Sequence, residues 1–227
     1  MPETSQQAVR VWDLPTRLFH WTLALAFIGS IVSAKIGGNA MVWHFRLGYV
    51  MLALLTFRLV WGLVGGRWSR FTSFIYAPST LVRYLRGRSR AEEHVDVGHN
   101  PVGSFSVFAM FAFLLLQVGT GLVSDDEISN IGPLNRFVSS DLASWATGWH
   151  KDFGQWVLIG LVVLHVLAII YYLVRKSANL ARAMVTGDKV LPATTPASAD
   201  GARHRVWAAV ILACCAALAT WVAKLGG

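Results

Sequence analysis

Residues 149–176 read WHKDFGQWVLIGLVVLHVLAIIYYLVRK. After its first turn the stretch is almost wholly apolar, and it is long enough for a helix that crosses a bilayer, which needs about 20 residues. It carries two histidines, His150 and His165, and it ends at the basic pair Arg175 and Lys176. Polar side chains are costly in lipid, so both histidines indicate a function.

Four further segments have the same apolar character, and together they define the class of protein. Only 14% of the 227 residues are charged, whereas a soluble domain has about 25%. We therefore predict an all-α integral membrane protein, a four-helix transmembrane bundle with a fifth, C-terminal transmembrane helix. The predicted spans are residues 15–34, 42–64, 101–123, 149–174 and 206–223.

The loops between the spans differ in charge, and this difference predicts the orientation. Residues 65–100 and 175–205 are rich in arginine, whereas residues 125–148 carry four acidic residues and one arginine. Because basic loops stay in the cytoplasm, we expect a cytoplasmic N-terminus and a periplasmic 125–148 loop in a bacterial inner membrane. The net charge of +8 arises from these loops, so it does not indicate a nucleic-acid partner.

The C-terminal third contains a segment, residues 191–201, that reads LPATTPASADG. Its Pro, Ala, Ser and Thr content is typical of a flexible linker. We therefore expect a core domain at 1–190, a flexible cytoplasmic tether at 191–205 and a C-terminal transmembrane helix at 206–227. Cys214 and Cys215 are neighbours on that last helix, where a disulfide between them would be strained, so we expect them to be packing residues.

Four of the seven histidines fall within predicted spans. His150 and His165 are 15 residues apart, which is about 22 Å along a helix axis, and fifteen steps return to within about 60° of the starting face. One helix therefore presents two imidazoles at two depths, with His44 predicted at the outer level and His20 toward the inner level. The other three lie in polar stretches, where we do not expect them to be ligands: His94, His99 and His204.

Two histidine pairs at two depths are what two bis-histidine haems require, because each iron takes axial nitrogens from opposite sides. The spans that hold His44 and His150 both open with W-H-x-x-x-G. Residues i and i+4 share a helix face, so Gly48 and Gly154 are predicted to leave room for a flat macrocycle. We therefore predict two non-covalent b haems, since the chain contains no C-x-x-C-H motif for covalent attachment.

Three charged residues near the predicted haem levels are further candidates. Arg58 lies about two turns inside the second span, at a depth close to that of His165. Its guanidinium would suit a haem propionate, and the alternative is that it reaches the membrane surface. Lys151 and Asp152 follow His150 and are candidates for proton handling, although an ordinary solvated helix start is the preferred interpretation.

With these residues in view, the chain resembles the bacterial cytochrome b561 group, which includes the b-type subunits of nickel–iron hydrogenases. The resemblance implies a four-helix core with two b haems, His20 with His165 on the cytoplasmic side and His44 with His150 on the periplasmic side. It also implies electron exchange with the quinone pool and a redox partner. The matching features are R-x-x-H-W at 17–21, W-H-x-x-x-G at 43–48 and 149–154, F-R-L-x-W-G at 57–62, His165, and M-V-T-G-D-K at 184–189.

The predicted function is transmembrane electron transfer between the quinone pool and a periplasmic redox protein such as a c-type cytochrome. The chain contains no nucleophile–base pair, hydrolase motif or phosphate loop. One alternative keeps the haems and makes the protein a quinone-linked superoxide oxidase. Two others, a histidine-relay proton transporter and a structural membrane anchor, would be colourless, so an absorption spectrum separates them from the haem prediction.

Overall fold

A computed structural model describes residues 5–226 of the chain. This part consists of two compact units, and each of the five long helices contributes residues to both of them. The first unit is formed by the described part of Met1–Leu18 together with Arg58–Phe108 and Leu164–Ala209, and the second by Phe19–Phe57, Ala109–Val163 and the described part of Val210–Gly227.

Eight α-helices account for most of the described residues, and five helical stretches are long and apolar enough to cross a membrane. All five predicted spans are therefore confirmed, and the protein is an all-α membrane protein. The helices are α1 (Leu14–Ile36), α2 (Met41–Val64), α3 (Pro78–Leu85), α4 (Pro101–Val123), α5 (Ser140–Gly148), α6 (Gln155–Lys176), α7 (Leu180–Thr186) and α8 (Ala202–Lys224).

Short polar side chains begin the helices by accepting the first free backbone N–H groups. Asp13 Oδ1 accepts a hydrogen bond from Thr16 N at 2.8 Å and begins α1. Asn100 Oδ1 accepts from Gly103 N at 2.7 Å, directly before Pro101, whose missing N–H costs nothing in a first turn. These caps explain why α1 and α4 begin at the residues where the chain turns apolar.

The helix that carries His150 and His165 begins earlier than the sequence predicted. α5 starts at Ser140 and runs through a π-helical turn, Trp149–Gly154, directly into α6. The end of the predicted 125–148 loop is therefore helical, and the predicted start at residue 149 is the π-helical turn. Such turns insert one extra residue between hydrogen-bonded partners and are frequent at functional sites.

A two-stranded antiparallel sheet, which the sequence did not predict, joins the N-terminus to the segment after α7. Strand β1 (Gln6–Arg10) pairs with β2 (Asp188–Pro192), with Gln6 opposite Pro192 and Arg10 opposite Asp188. The Arg10 guanidinium lies 2.7 Å from the Asp188 carboxylate. The sheet therefore fixes where the chain enters α1.

The segment expected to be a flexible tether is bound to the first unit over most of its length. Ser198 Oγ donates to Val11 O at 2.7 Å, and Pro196 O accepts from Trp68 Nε1 at 2.8 Å. Asp200 forms an ion pair with Arg10, and α8 begins at Ala202, inside the predicted tether. The prediction needs correction because composition does not show which carbonyls and hydroxyls find partners.

Each unit has its own apolar core. Cys215, Ala219 and Val222 form a buried stripe on α8. Cys214 is exposed, so the packing role expected of both cysteines holds for Cys215 alone, and both are free thiols. The core of the second unit is formed by Ala26, Met51, Leu55, Leu114, Val118 and Leu158. The core of the first unit is formed by Val11, Trp12, Trp68, Val97 and Ala183.

Candidate cofactor site

His44 lies in the first turn of α2, and α1 anchors its imidazole. His44 Nδ1 lies 2.9 Å from the backbone carbonyl of Ser30 and 3.1 Å from the Ser30 hydroxyl. A carbonyl oxygen only accepts hydrogen bonds, so Nδ1 carries the proton and Nε2 keeps its lone pair. The orientation of this imidazole is therefore set by Ser30, a residue on another helix.

His150 lies in the π-helical turn, and Gln117 of α4 holds it at two points. His150 Nδ1 donates to the Gln117 backbone carbonyl at 2.8 Å, and the Gln117 side-chain amide donates to the His150 carbonyl at 2.8 Å. The wider π-helical turn changes the usual pairing of backbone groups, so a side-chain donor to a carbonyl within it is physically reasonable. The same tautomer argument applies, and His150 also presents a bare Nε2.

The two imidazoles lie edge to face within the second unit. Their ring centroids are 5.8 Å apart and their planes lie at 85°. A carbonyl bound to the far ring nitrogen is the usual outer partner of a metal-bound histidine. The chemistry of the pair therefore fits two imidazoles that would hold one haem.

A cavity of about 470 Å³ lies beside the two imidazoles, and glycine contributes to its walls. Gly48 lines the cavity, and a Cβ at this position would meet nothing within 4 Å. A Cβ at Gly121 would lie 2.7 Å from the His150 ring, so only glycine fits there. Open space beside Gly48 agrees with the role predicted for it.

Gly154 differs from Gly48, although the sequence treated the two as equivalent. It is buried, and a Cβ there would overlap Gln117 Oε1 and the Trp149 indole nitrogen. The i, i+4 rule assumes an α-helix, whereas residues 149–154 are π-helical, so Gly154 is rotated relative to His150. The space beside Gly154 is filled by protein side chains, and this glycine allows close packing against Gln117.

Among residues 5–226, no cluster of three or more His, Cys, Asp or Glu side chains is arranged to hold a metal ion. The His44–His150 pair offers two nitrogens, which is the number that a haem iron needs from the protein, because its macrocycle supplies the other ligands. A bare metal site would require more protein ligands. The ligand count therefore favours a macrocycle-bound iron at this pair.

Arg58 is buried, with 5% of its surface exposed, so it does not extend to the surface of the described protein. Its guanidinium lies over the Phe71 ring at 4.6 Å, and its Nη1 has no hydrogen-bond partner among the described residues. The nearby buried carboxylate of Asp13 accepts from Thr16, Trp61, Gly66 and Ser69. A buried cation with an unsatisfied donor fits an anionic carboxylate such as a propionate.

His20 belongs to the second unit and His165 to the first. His20 contacts Trp21 edge-on, with ring centroids 4.9 Å apart, and His165 is half-buried in α6. Arg17, three residues before His20, donates to the Val185 carbonyl at 2.6 Å, which joins two of the motifs that carried the resemblance. The pairing of His20 with His165 stays a prediction from the sequence.

Two charged residues that line the cavity are exposed. Lys151 and Asp152 lie in the π-helical turn, inside a continuous helical run, so they are solvated but do not form the helix start that the sequence predicted. Hydrogen bonds from the Asn130 side chain and from backbone N–H groups hold the pKa of Asp126 well below its ordinary value. Asp126 therefore stays negatively charged across the physiological pH range.

Sequence reasoning missed Ser30, Gln117 and Gly121, which orient or accommodate the two imidazoles. Gln117 was visible as an amide in the middle of an apolar span, where polar side chains indicate a function. Ser30 acts mainly through its backbone carbonyl and Gly121 through a missing side chain. Neither of these two roles leaves a signal in a single sequence.

The family model of prokaryotic cytochrome b561 matches residues 11–187. The chain belongs to this family. It is therefore a haem b-binding membrane protein that transfers electrons as a b-type cytochrome. The matched range includes all four intramembrane histidines, Arg58 and every motif that carried the resemblance except the last two residues of M-V-T-G-D-K at 184–189.

Curated relatives are similar to the chain along most of its length. A probable Ni/Fe-hydrogenase B-type cytochrome subunit from Rhodobacter capsulatus is 26% identical, over 80% of this chain and 81% of the relative. Its counterpart from Cupriavidus necator is 26% identical, over 81% and 87%. The hydrogenase 1 subunit from Escherichia coli (strain K12) is 24% identical, over 78% and 88%. No solved structure matches the chain significantly.

Proposed function

We propose that this cytochrome b binds two b haems, one between His44 and His150 and the other between His20 and His165. The observation that carries the proposal is the pair of Nδ1 anchors, from His44 to Ser30 O and from His150 to Gln117 O. Both anchors leave the Nε2 lone pair free for a metal, on two rings whose centroids are 5.8 Å apart beside a cavity. The second pair rests on the matching depths in the sequence.

Bound haem b supplies a reversible one-electron couple, and the residues of the chain set where and how easily it operates. His44 and His150 hold the macrocycle from two helices, Gly48 leaves space for it, and Gln117 and Ser30 fix the ring orientations. Arg58 binds a propionate of the other haem and favours its reduced state by its positive charge. Core residues that line the cavity beside His44 and His150, Met51, Val118 and Leu158, limit the access of water to that site.

The orientation in the membrane follows from charge. We place the N-terminus and the two basic segments in the cytoplasm and the acidic segment at 125–141 in the periplasm, in a bacterial inner membrane. Residues 1–190 form the di-haem core, and α8 is an additional span after the anchored segment 191–201. In this orientation, the haem of His44 and His150 lies near the periplasmic side.

The redox partners that we propose are membrane quinone and a periplasmic protein. A lipid-soluble quinol reaches the haems from within the bilayer. The acidic residues of the periplasmic segment attract a basic docking surface, as many c-type cytochromes carry, and Asp126 keeps its charge. The names of the curated relatives favour a Ni/Fe-hydrogenase as a second candidate partner.

Stopped-flow reduction of the purified protein by a quinol analogue in nanodiscs tests this function. We expect quinol to reduce both haems, and a c-type cytochrome to reoxidise them faster at low ionic strength than at high. If a hydrogenase partner reoxidised the haems rapidly and a c-type cytochrome did not, the hydrogenase would become the proposed partner in place of the c-type cytochrome. Rapid reduction by superoxide, with none by quinol, would support the superoxide alternative and contradict electron relay from the quinone pool.

A further inference from the structure

The segment between α2 and α4, residues 65–100, contains a short helix, α3, whose two faces differ sharply. Both neighbouring helices are long enough to cross a membrane, so this segment begins and ends at the same membrane surface. One face of α3 packs against the protein, and the other face is left without a partner among the described residues.

The inner face of α3 binds the first unit through polar contacts. Thr80 and Arg83 both bind the Glu93 carboxylate, with Arg83 Nε at 3.0 Å. Hydrogen bonds from Arg83 hold the pKa of Glu93 below its ordinary value, so the Glu93 carboxylate stays ionised. Tyr84 shares a hydrogen bond of 2.9 Å with Tyr172 of α6. These contacts fix the rotation of α3 about its own axis.

The contact between Tyr84 and Tyr172 also sets the depth of α3. Tyr172 lies four residues before the end of α6 at Lys176, which is about 6 Å along the helix axis. Tyrosine at the end of a membrane helix is typical of the headgroup level. Because α3 is hydrogen-bonded to this residue, α3 lies at the level of the lipid headgroups.

The outer face of α3 is apolar and exposed. Val82 and Leu85 of α3 are 44% and 67% exposed, and Ile75, in the non-helical segment before α3, is 65% exposed. Three exposed arginines follow directly, Arg86, Arg88 and Arg90. Within residues 5–226, no acidic side chain forms a salt bridge with any of these three arginines. An apolar row bordered by unpaired arginines is characteristic of a helix that lies in the membrane interface.

We propose that α3 is an interfacial helix that inserts Ile75, Val82 and Leu85 among the lipid chains and binds anionic phospholipid headgroups through Arg86, Arg88 and Arg90. Charge selects this partner, because the three arginines have no salt-bridge partner among the described residues and Glu93, which follows them in the chain, is already bound to Arg83. Each arginine near an anionic surface strengthens partitioning by about fivefold. The proposal is independent of haem binding.

The test uses the full-length holoprotein in nanodiscs, with a fluorescent label on a single cysteine at position 82 (V82C in a C214A/C215A background). We expect phospholipids with doxyl groups near the headgroup to quench this label. A matched label at the exposed Ser129 (S129C), in the polar turn before α5, should show little quenching. Quenching at position 82 no stronger than at position 129 would overturn the membrane contact.

The anionic preference is tested by adding phosphatidylglycerol to phosphatidylcholine nanodiscs. We expect deeper quenching at position 82 with phosphatidylglycerol, and we expect R86Q/R88Q/R90Q to abolish this increase. The triple variant R175Q/R182Q/R203Q removes the same amount of charge elsewhere, and it should keep the increase in quenching that phosphatidylglycerol causes. Equal quenching in both lipid compositions, or equal behaviour of the two triple variants, would overturn the role of the three arginines.

Discussion

The two W-H-x-x-x-G motifs are alike in sequence and differ in structure. At residues 43–48 the motif is α-helical, and Gly48 faces the cavity beside His44. At residues 149–154 it is π-helical, and Gly154 packs against Gln117 and Trp149. The histidines of the two motifs still meet ring to ring. The shared motif therefore brings both histidines to the same place. Whether its glycine leaves open space or allows close packing depends on whether the backbone is α-helical or π-helical.

This difference has a physical origin in the neighbouring helix. The first motif receives its imidazole anchor from Ser30, whereas the second receives both an imidazole anchor and a side-chain donor from Gln117. Gln117 occupies the space that Gly154 leaves and binds a carbonyl of the π-helical turn. One glycine therefore leaves open space beside the cavity, and the other accommodates a protein side chain that binds the His150 carbonyl.

The largest expected effect is on the histidines of the two motifs, which should be equivalent. We expect His44→Ala and His150→Ala each to remove the same haem, because a bis-histidine haem loses an axial ligand in either variant. Pyridine haemochromogen analysis should show one haem per chain instead of two, and reduced-minus-oxidised spectra should lose the same component. His94→Ala, in a polar loop, is the control and should retain both haems.

Two outcomes would contradict the pairing. Loss of different spectral components in the His44 and His150 variants would mean that they do not share an iron. Loss of one common component in His44→Ala and His20→Ala would mean that the sequence-based assignment of the second pair is wrong. A wild-type preparation that binds no haem even when haem is supplied in excess would exclude both sites.

Substitutions of the two glycines should have different effects, whereas substitutions of the two histidines should have the same effect. We expect Gly154→Ala to destabilise the protein by about 1–3 kcal/mol, because its Cβ overlaps Gln117 and Trp149. Gly48→Ala should keep or slightly raise the stability, since alanine favours a helix by about 1 kcal/mol, but it should lower haem retention. Thermal unfolding and haem content per chain measure both effects. Greater destabilisation by Gly48→Ala would reverse the comparison.

Arg58 lies outside both motifs and should affect only the other haem. Replacing it by leucine removes a buried positive charge, so we expect a lower reduction potential. The change should be on the order of 1 kcal/mol, or roughly 40 mV for one electron. Potentiometric titration measures it, and Arg58→Lys, which keeps the charge, is the control. If Arg58→Leu instead shifted the potential of the component that His44→Ala removes, Arg58 would act on the haem of His44 and His150, which contradicts the prediction.

The spans and the four histidines were predictable because each signal is summed over many residues. Hydropathy averages about 20 positions in a span, and matching helix depths follow from fixed rise per residue. The π-helical turn was not predictable, since it involves Gln117, which lies 33 residues before His150. The anchoring of residues 191–201 was missed for the same reason, because Ser198 and Pro196 bind partners near residues 11 and 68.

The smallest expected effect is that of Gln117, and it tests the origin of the difference between the motifs. Gln117→Met keeps the side-chain length but removes the amide that donates to the His150 carbonyl. The backbone carbonyl that accepts from His150 Nδ1 remains, so we expect both haems to stay bound. One lost hydrogen bond should cost about 1 kcal/mol of stability. The π-helical turn should loosen, which turns the His150 imidazole without releasing it.

Two measurements detect this change apart from activity. The low-spin ferric signals in electron paramagnetic resonance depend on imidazole orientation, so one of the two signals should shift. Hydrogen exchange at the amides of residues 153–156 should become faster. Thr56→Val is the matched control, since the Thr56 hydroxyl in α2 binds only carbonyls of its own helix. If Gln117→Met and Thr56→Val give the same spectrum and the same exchange rates, the side chain of Gln117 does not position His150, and the π-helical turn must be held by the packing of Gly154 against Trp149 alone.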